Sequence, residues 1–346
     1  MKALLLNPPG RRLYLRDYFC SKVSQADYVH PPIDLVVQSG WLAERFEVTL
    51  CDAIVAGLSR AATIERVRAE ATDAIVALAG AASVDEDAEF LAELRTVHDG
   101  PIVATILGRR TQTNEVGRLA TLVPAFALAA RDAGEPLALV EVGPSAGLCL
   151  YPDRYRYRWR GAEGETVLGV GPDLPCRVDG PVPFPDRLPE VSWRAGVDLH
   201  PLSVHDQDAM DWLETLVWPE QEDRRVRLRA AIDIAAAEPP FLVRGNLLDE
   251  LPALVAEAEA FGRVVVFHSA VIAYLEPADR RRFADLMRGL VAADACHWVS
   301  NEAPGVLPEV TSTGPSAPPG PTSFVLGLDG QAVAWTHGHG SSLTWL

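Results

Sequence analysis

The chain has 346 residues, 48% of them hydrophobic, and a formal net charge of −16, with an isoelectric point near 4.9. That length fills two ordinary cores, and the acidic balance repels phosphate backbones and anionic lipid within a Debye length of about 8 Å. Nucleic acid and membrane are therefore not expected as partners, and a small-molecule or protein acceptor is favoured.

No apolar run reaches the roughly 18 residues of a bilayer span, and MKALLLNPPG breaks on two prolines before it could form a signal-peptide core. The expected location is cytoplasmic. Cys20, Cys51, Cys149, Cys176 and Cys296 lack CxxC or CxxxCxxC spacing, so neither a zinc site nor an iron–sulfur cluster is encoded, and they read as small buried hydrophobes.

Apolar runs bounded by turn residues alternate with helical stretches, the pattern of α/β domains with a parallel sheet. In the first third, strands are expected at Lys2–Asn7, Glu47–Cys51, Ala74–Ala79 and Ile102–Ile106, with helical segments around Ile33–Ala43, Ile64–Glu70 and Asp85–Val97. A second series follows Gly134: Leu137–Val142, Trp193–Leu199, Phe241–Arg244, Val264–Phe267 and His297–Ser300. Phe324–Leu328 and Ala332–Thr336 flank Asp329-Gly330, a strong hairpin signal. Gly161–Pro189 and Ala303–Pro321, rich in Gly and Pro, read as surface loops. Arg154, Arg156, Arg158 and Arg160 alternate with Tyr155, Tyr157 and Trp159. Such alternation puts the arginines on one face of an extended strand, read as a solvated edge.

The most informative segment is LALVEVGPSAG (137–147), an apolar strand running into Glu141 and then Gly143, Ser145 and Gly147. Glycines let the backbone approach a ligand, and a helix after the turn would present free N–H groups. In S-adenosylmethionine enzymes an E/DxGxxxG turn packs against the methionine moiety. Asp198 ends a second strand, where a carboxylate can accept both ribose hydroxyls. Its distance from Glu141 implies that Gly161–Pro189 is an insertion over the site. Asn246 and Asp249 follow a third strand near the expected adenine edge. A fourth strand delivers His268, Ser269 and Tyr274, and a fifth Asn301 and Glu302, to the same carboxyl-terminal rim.

These stretches resemble the family catalogued as domain of unknown function 2332, of class I methyltransferase type. The resemblance rests on TQTNEVGR (111–118), LALVEVGPSAGLCLYPDRYRY (137–157), VSWRAGVDLHPLSV (191–204), LVWPEQ (216–221), VRGNLLDELPAL (243–254), VVFHSAVIAYL (265–275), WVSNEAP (298–304) and HGHGSSLTW (337–345), covering residues 110–346. It implies a mostly parallel sheet closed by an antiparallel hairpin, with S-adenosylmethionine as cofactor. Asn246 stands where the resemblance leads one to expect Asp.

Methyl transfer from a sulfonium is an in-line displacement driven by alignment and desolvation, with a base added where the nucleophile carries a proton. His268 is the preferred base, and Tyr274 and Glu302 are candidates for acceptor binding. His337 and His339 lie in a Gly-rich tail that could fold back over the pocket. A rival reading comes from Gly143–Gly147, which also spells GxSxG, the nucleophile-elbow pattern, with Asp249 and His339 in triad order after Ser145. No HGGG-type oxyanion segment precedes it. A third reading is a non-catalytic scaffold.

The first 108 residues resemble the cobalamin-binding-type domain that precedes a radical S-adenosylmethionine core, through MKALLLNPPG, YVHPPIDLVVQSGWL, FEVTLCDAI and IVALAG. The last strand–helix unit and a DxHxxG segment are missing, and His30 is the only histidine near the expected face. Such a domain would leave much of a corrin unburied, so residues 1–108 are expected to serve as a Rossmann-like scaffold and 109–346 as the methyltransferase-like domain.

Overall fold

The structure is a computed structural model that describes residues 2–7, 47–53, 56, 58–70, 74–77, 112, 114–131, 134–217, 221–316 and 323–346. It divides into two compact units, 1–111 and 112–346. In the first, β1 (Lys2–Asn7) pairs in parallel with β2 (Glu47–Asp52) on one side and β3 (Ala74–Ala77) on the other. Helix α1 (Arg60–Glu70) connects β2 to β3 and buries Ile64 and Val67. The expected elements at Ile102–Ile106, Ile33–Ala43 and Asp85–Val97, together with Cys20 and His30, lie outside the described residues.

The second unit is built on one eleven-stranded sheet of order β6-β5-β7-β14-β13-β12-β11-β10-β4-β8-β9. Its strands are β4 (Leu137–Val142), β5 (Arg156–Gly161), β6 (Gly164–Leu168), β7 (Asp173–Asp179), β8 (Val191–Asp198), β9 (Phe241–Arg244), β10 (Arg263–Ser269), β11 (His297–Glu302), β12 (Ser323–Leu328), β13 (Gln331–His337) and β14 (Ser342–Trp345). The run β9-β8-β4-β10-β11 is parallel throughout, so all five carboxyl ends share one rim. β12 and β13 form the antiparallel hairpin, with Leu328 opposite Gln331. Both turn residues have positive φ, Asp329 at 50° and Gly330 at 80°, as a type I′ turn requires.

Strands buried on both faces are continuously apolar, and β4 is buried at every position. One face packs on α2 (Leu119–Ala130) and α4 (Glu222–Ala237). The other packs on α5 (Leu247–Ala258) and α6 (Pro277–Ala292). Two short helices complete the set, α3 (Gln207–Thr215) and α7 (Pro308–Thr311). Helix α2 is apolar all round, as a buried helix must be. Pro124 inside it cannot donate back to the carbonyl one turn earlier, and that carbonyl, of Ala120, accepts the Trp159 indole N–H of β5 at 2.7 Å.

Two sequence expectations are corrected here. Gly161–Pro189 is not an irregular loop, since it holds β6 and β7. Leu174, Cys176 and Val178 alternate inward along β7, a period obscured by Pro175. The proline is tolerated because β14 pairs with β7 only from Arg177 onward, which leaves that side of Pro175 without a ladder to break. The arginine strand is likewise interior rather than an edge. Tyr157 and Trp159 are fully buried, while Arg156, Arg158 and Arg160 pair on the solvent face with Asp173 and Glu165 at 2.7 to 3.6 Å. Ala303–Pro321 contains the single turn α7. No helix among the described residues is long and apolar enough to cross a membrane.

Candidate functional site

The rim is organised by the turn after β4. Gly143 and Gly147 hold φ of 68° and 73°, which glycine adopts freely, and Ser145 sits at 55°, where a side chain is strained. Asp198 at the end of β8 holds this turn. Its Oδ2 accepts the Ser145 backbone N–H at 2.9 Å and its Oδ1 accepts that of His200 at 2.8 Å. A carboxylate oxygen has more than one acceptor direction, so Asp198 retains capacity for a ligand. Asn246 caps α5, its Oδ1 accepting the Leu248 N–H at 2.9 Å. Asn and Asp are equivalent in that role, which accounts for Asn at this position. Asp249 lies exposed in the first turn of the same helix.

The helix expected after the turn is absent. Two 3-10 turns, Leu148–Leu150 and Pro152–Arg154, lead into β5 instead. Tyrosine hydroxyls hold carbonyls that a helix would otherwise satisfy: Tyr155 donates to Leu148 O at 3.0 Å and Tyr157 to Pro152 O at 2.7 Å. Arg194 of β8 fixes the segment further, donating to Leu150 O and Asp153 at 2.6 and 2.8 Å, with its guanidinium 4.7 Å from the centre of the Tyr151 ring.

Glu141 shares the strand parity of Leu137 and Leu139 and so faces the α2 side of the sheet. It is 8% exposed, and its Oε2 is buried with no hydrogen-bond partner. Burial pushes this carboxyl well above the usual 4.5, with Arg118 opposing and Asp198 adding to the shift. Arg118 donates to the backbone carbonyls of Gly338 and Ser269 at 2.8 and 2.9 Å, joining three segments at the rim. Because the folded pKa of Glu141 exceeds the unfolded one, its burial carries no penalty below about pH 4.5 and costs stability as pH rises. Glu141→Gln is therefore expected to raise the urea midpoint at about pH 8 and leave it unchanged at about pH 4. Equal midpoints for the two chains at the higher pH would refute the assignment.

Residues 112 and 114–118 close over the turn. Asn114 donates to Pro144 O at 2.7 Å and Gln112 to His200 O at 3.3 Å. Glu115 accepts the Gly117 N–H at 3.0 Å and pairs with Arg224 of α4 at 2.5 Å, while His339 Nδ1 lies 3.6 Å away. Burial works to raise the Glu115 carboxyl, but the His339 side chain, Arg224 and the Gly117 N–H prevail and hold it at about 2. The tail thus does return to the rim, with His337 and His339 beside Glu115 and Arg118. Glu115, Arg118, Arg224 and Asn114 were not among the residues expected at the site. TQTNEVGR is a polar run before an apolar helix, and composition alone gives such a run no role.

His268 and Glu302 stand together, but on the opposite face of the sheet from Glu141. His268 is fully buried. Its Nε2 accepts the Trp298 indole N–H at 3.0 Å, and an indole can only donate. The proton of a neutral ring therefore sits on Nδ1, which donates to Glu302 Oε1 at 2.8 Å. Both ring nitrogens are engaged within the core, so in this arrangement the imidazole serves as a strut. Glu302 Oε1 also accepts the Val271 and Ile272 N–H groups at 2.9 and 3.0 Å. Tyr274 is 58% exposed on the 3-10 turn that follows.

Ser145 Oγ is buried without a hydrogen-bond partner, so neither His339 nor Asp249 completes a Ser-His-Asp relay in this conformation. A family model described as "Uncharacterized protein conserved in bacteria (DUF2332)" matches residues 35–345. The chain belongs to the DUF2332 family. The DUF2332 match begins at residue 35 rather than 110, so it takes in most of the stretch 1–108 that was expected to be a separate cobalamin-binding-type domain. Neither the curated proteins nor the solved structures give a match. The glycine turn, Asp198, and residues 112 and 114–118 all fall within the matched residues, and they define the candidate site of this DUF2332 chain.

Proposed function

We propose that unit 112–346 binds S-adenosylmethionine in the crevice between β4 and β10 and transfers its methyl group to a small-molecule or protein acceptor. The observation that carries this reading is the strand order β9-β8-β4-β10-β11. Numbered along the chain, these five strands run 3-2-1-4-5. In such sheets the order reverses beside the first strand, and ligands bind outside the carboxyl ends at that point. Glu141 and Asp198 end the first two strands, next to the reversal.

The residues fit the cofactor in part. Asp198 suits a ribose diol, and Glu141 offers an unpartnered buried oxygen to a donor or cation. The glycine turn does not fit as it stands, because its bare surface at Gly143 is covered by Val271. S-adenosylmethionine would bring an electrophilic methyl on a sulfonium, and the chain's own part would be to align it and exclude water.

The test is a thermal-shift titration with S-adenosylmethionine, S-adenosylhomocysteine, NAD and hydroxocobalamin, on the wild-type chain and on Asp198→Ala and Asp198→Asn. A ligand at about 100 times its Kd adds about 2.7 kcal/mol. Stabilisation by the first two, lost in both variants relative to their own ligand-free midpoints, is the expected result. A shift with hydroxocobalamin alone would favour the cobalamin reading of the first unit, and no shift with any ligand overturns the proposal.

One observation favours the hydrolase alternative. Ser145 has the left-handed φ that a nucleophile elbow imposes. Covalent labelling of Ser145 by a fluorophosphonate would support it, and absence of both labelling and ligand shifts would leave the non-catalytic scaffold.

A further inference from the structure

The side of the glycine turn that a ligand needs is occupied by the protein itself. A Cβ built on Gly143 would lie 2.6 and 2.7 Å from the two γ-methyls of Val271, so the valine side chain rests on the bare backbone. Val271 follows Ala270, a non-glycine residue at φ 60°, a backbone state that L side chains leave readily when nothing holds them. This one is held by the Ala270 N–H bond to Asn301 O at 3.1 Å, by the Tyr274 N–H bond to Val271 O at 3.0 Å and by Glu302. Glu302 Oε1 takes the Val271 and Ile272 N–H groups and the His268 Nδ1–H together, while its buried Oε2 takes none. The Trp298 indole braces the histidine from behind. Ile272 is fully buried and anchored in the core between sheet, α5 and α6, so the movable part is short.

We propose that Ala270–Val271 is a closed gate over the glycine turn, with Val271 as its plug, Ala270 as its hinge and Glu302 as its latch, and that an adenosyl ligand enters when Val271 leaves Gly143. This rests on the adenosyl reading of the crevice. It reassigns His268 and Glu302 from handling the acceptor to setting how often the site is open. Relaxation of Ala270 to the right-handed region carries Val271 off Gly143 and releases the Val271 and Ile272 N–H groups from Glu302 Oε1, so opening exposes both amides. Apparent affinity is the intrinsic affinity scaled by the open fraction, so removing the plug raises affinity without adding a contact.

Two measurements on the full chain test the gate. In calorimetric titration with S-adenosylhomocysteine, Val271→Ala is expected to bind at least about tenfold tighter than wild type, and Glu302→Gln to fall between them. In ligand-free hydrogen exchange, the Val271 and Ile272 amides of wild type are expected to exchange by local opening, faster than the β4 amides, and faster again in Glu302→Gln. Binding of equal strength in wild type and Val271→Ala would overturn the gate and leave the cofactor reading intact. If no chain binds S-adenosylhomocysteine, the cofactor reading fails and exchange alone decides. Amides of 271 and 272 as slow as those of β4 overturn the gate, and faster ones retain it for another ligand.

Discussion

Deleting residues 342–346 is expected to unfold the whole 112–346 unit rather than trim its end. Strand β14 lies between β7 and β13, parallel to the first and antiparallel to the second. Among the described strands it is the only link joining the β6-β5-β7 group to the rest of the sheet. Its loss opens two ladders at once and exposes both as unpaired edges. Leu343, 1% exposed, leaves the core that also contains Trp159, Tyr157 and α2, and Trp345 packs against the same cluster. The lost burial of two large side chains at about 1.5–3 kcal/mol each, with the backbone hydrogen bonds of both ladders, rivals a total stability of about 5–15 kcal/mol. Urea titration followed by near-ultraviolet circular dichroism and tryptophan fluorescence checks this. The full chain should show a cooperative transition and the truncated chain none; a truncated chain with the full-length midpoint would show that β14 is dispensable.

That dependence was not visible in SSLTWL, and the reason is general. A strand four residues long carries too little alternation to be distinguished from a tail, and its identity comes from the two ladders it completes. The strands legible in the sequence were those with an unbroken apolar run or chemically marked flanks: β4 is buried at every position, whereas the edge strand β9 is set off by Pro240 and Gly245. Leu137–Val142 and Phe241–Arg244 were placed to the residue, and the Asp329-Gly330 hairpin to within one at each end. β7 was missed because Pro175 masks its period, and the helix after Gly147 was wrongly supplied because the glycine pattern usually precedes one.

At the site, polar residues at strand ends were legible as a set, since an acid following an apolar run is conspicuous. The layer each one serves was not. Alternation along a strand sends neighbouring side chains to opposite faces, so Glu141 looks toward α2 and Arg118, while His268 and Glu302 look toward α6. Only the register of β4, β10 and β11 separates them into two groups. Val271 could not be singled out at all, because an apolar residue in a loop gives no sign of what it covers.

Gly143→Ala probes that covered surface directly. The new methyl must coexist with two valine methyls at 2.6 and 2.7 Å, on a residue held at φ 68°. The left-handed φ alone costs about 1–2 kcal/mol for an L side chain, and forced overpacking adds about 1–3 kcal/mol. The expected loss of stability is therefore roughly 2–5 kcal/mol, read as a lowered urea midpoint at unchanged slope. The two costs are separable, since Val271→Ala removes the steric part and leaves the backbone part. In a double-mutant cycle the pair should cost less than the sum of the single changes, by a coupling of about 1–3 kcal/mol, while the φ cost of about 1–2 kcal/mol persists. Strict additivity would mean that Val271 does not rest on the turn, and the gate would lose its structural basis even if a ligand were found to bind. A coupling of the expected size, together with tighter ligand binding in Val271→Ala alone, would show that the space above Gly143 is contested between the protein's own valine and the ligand.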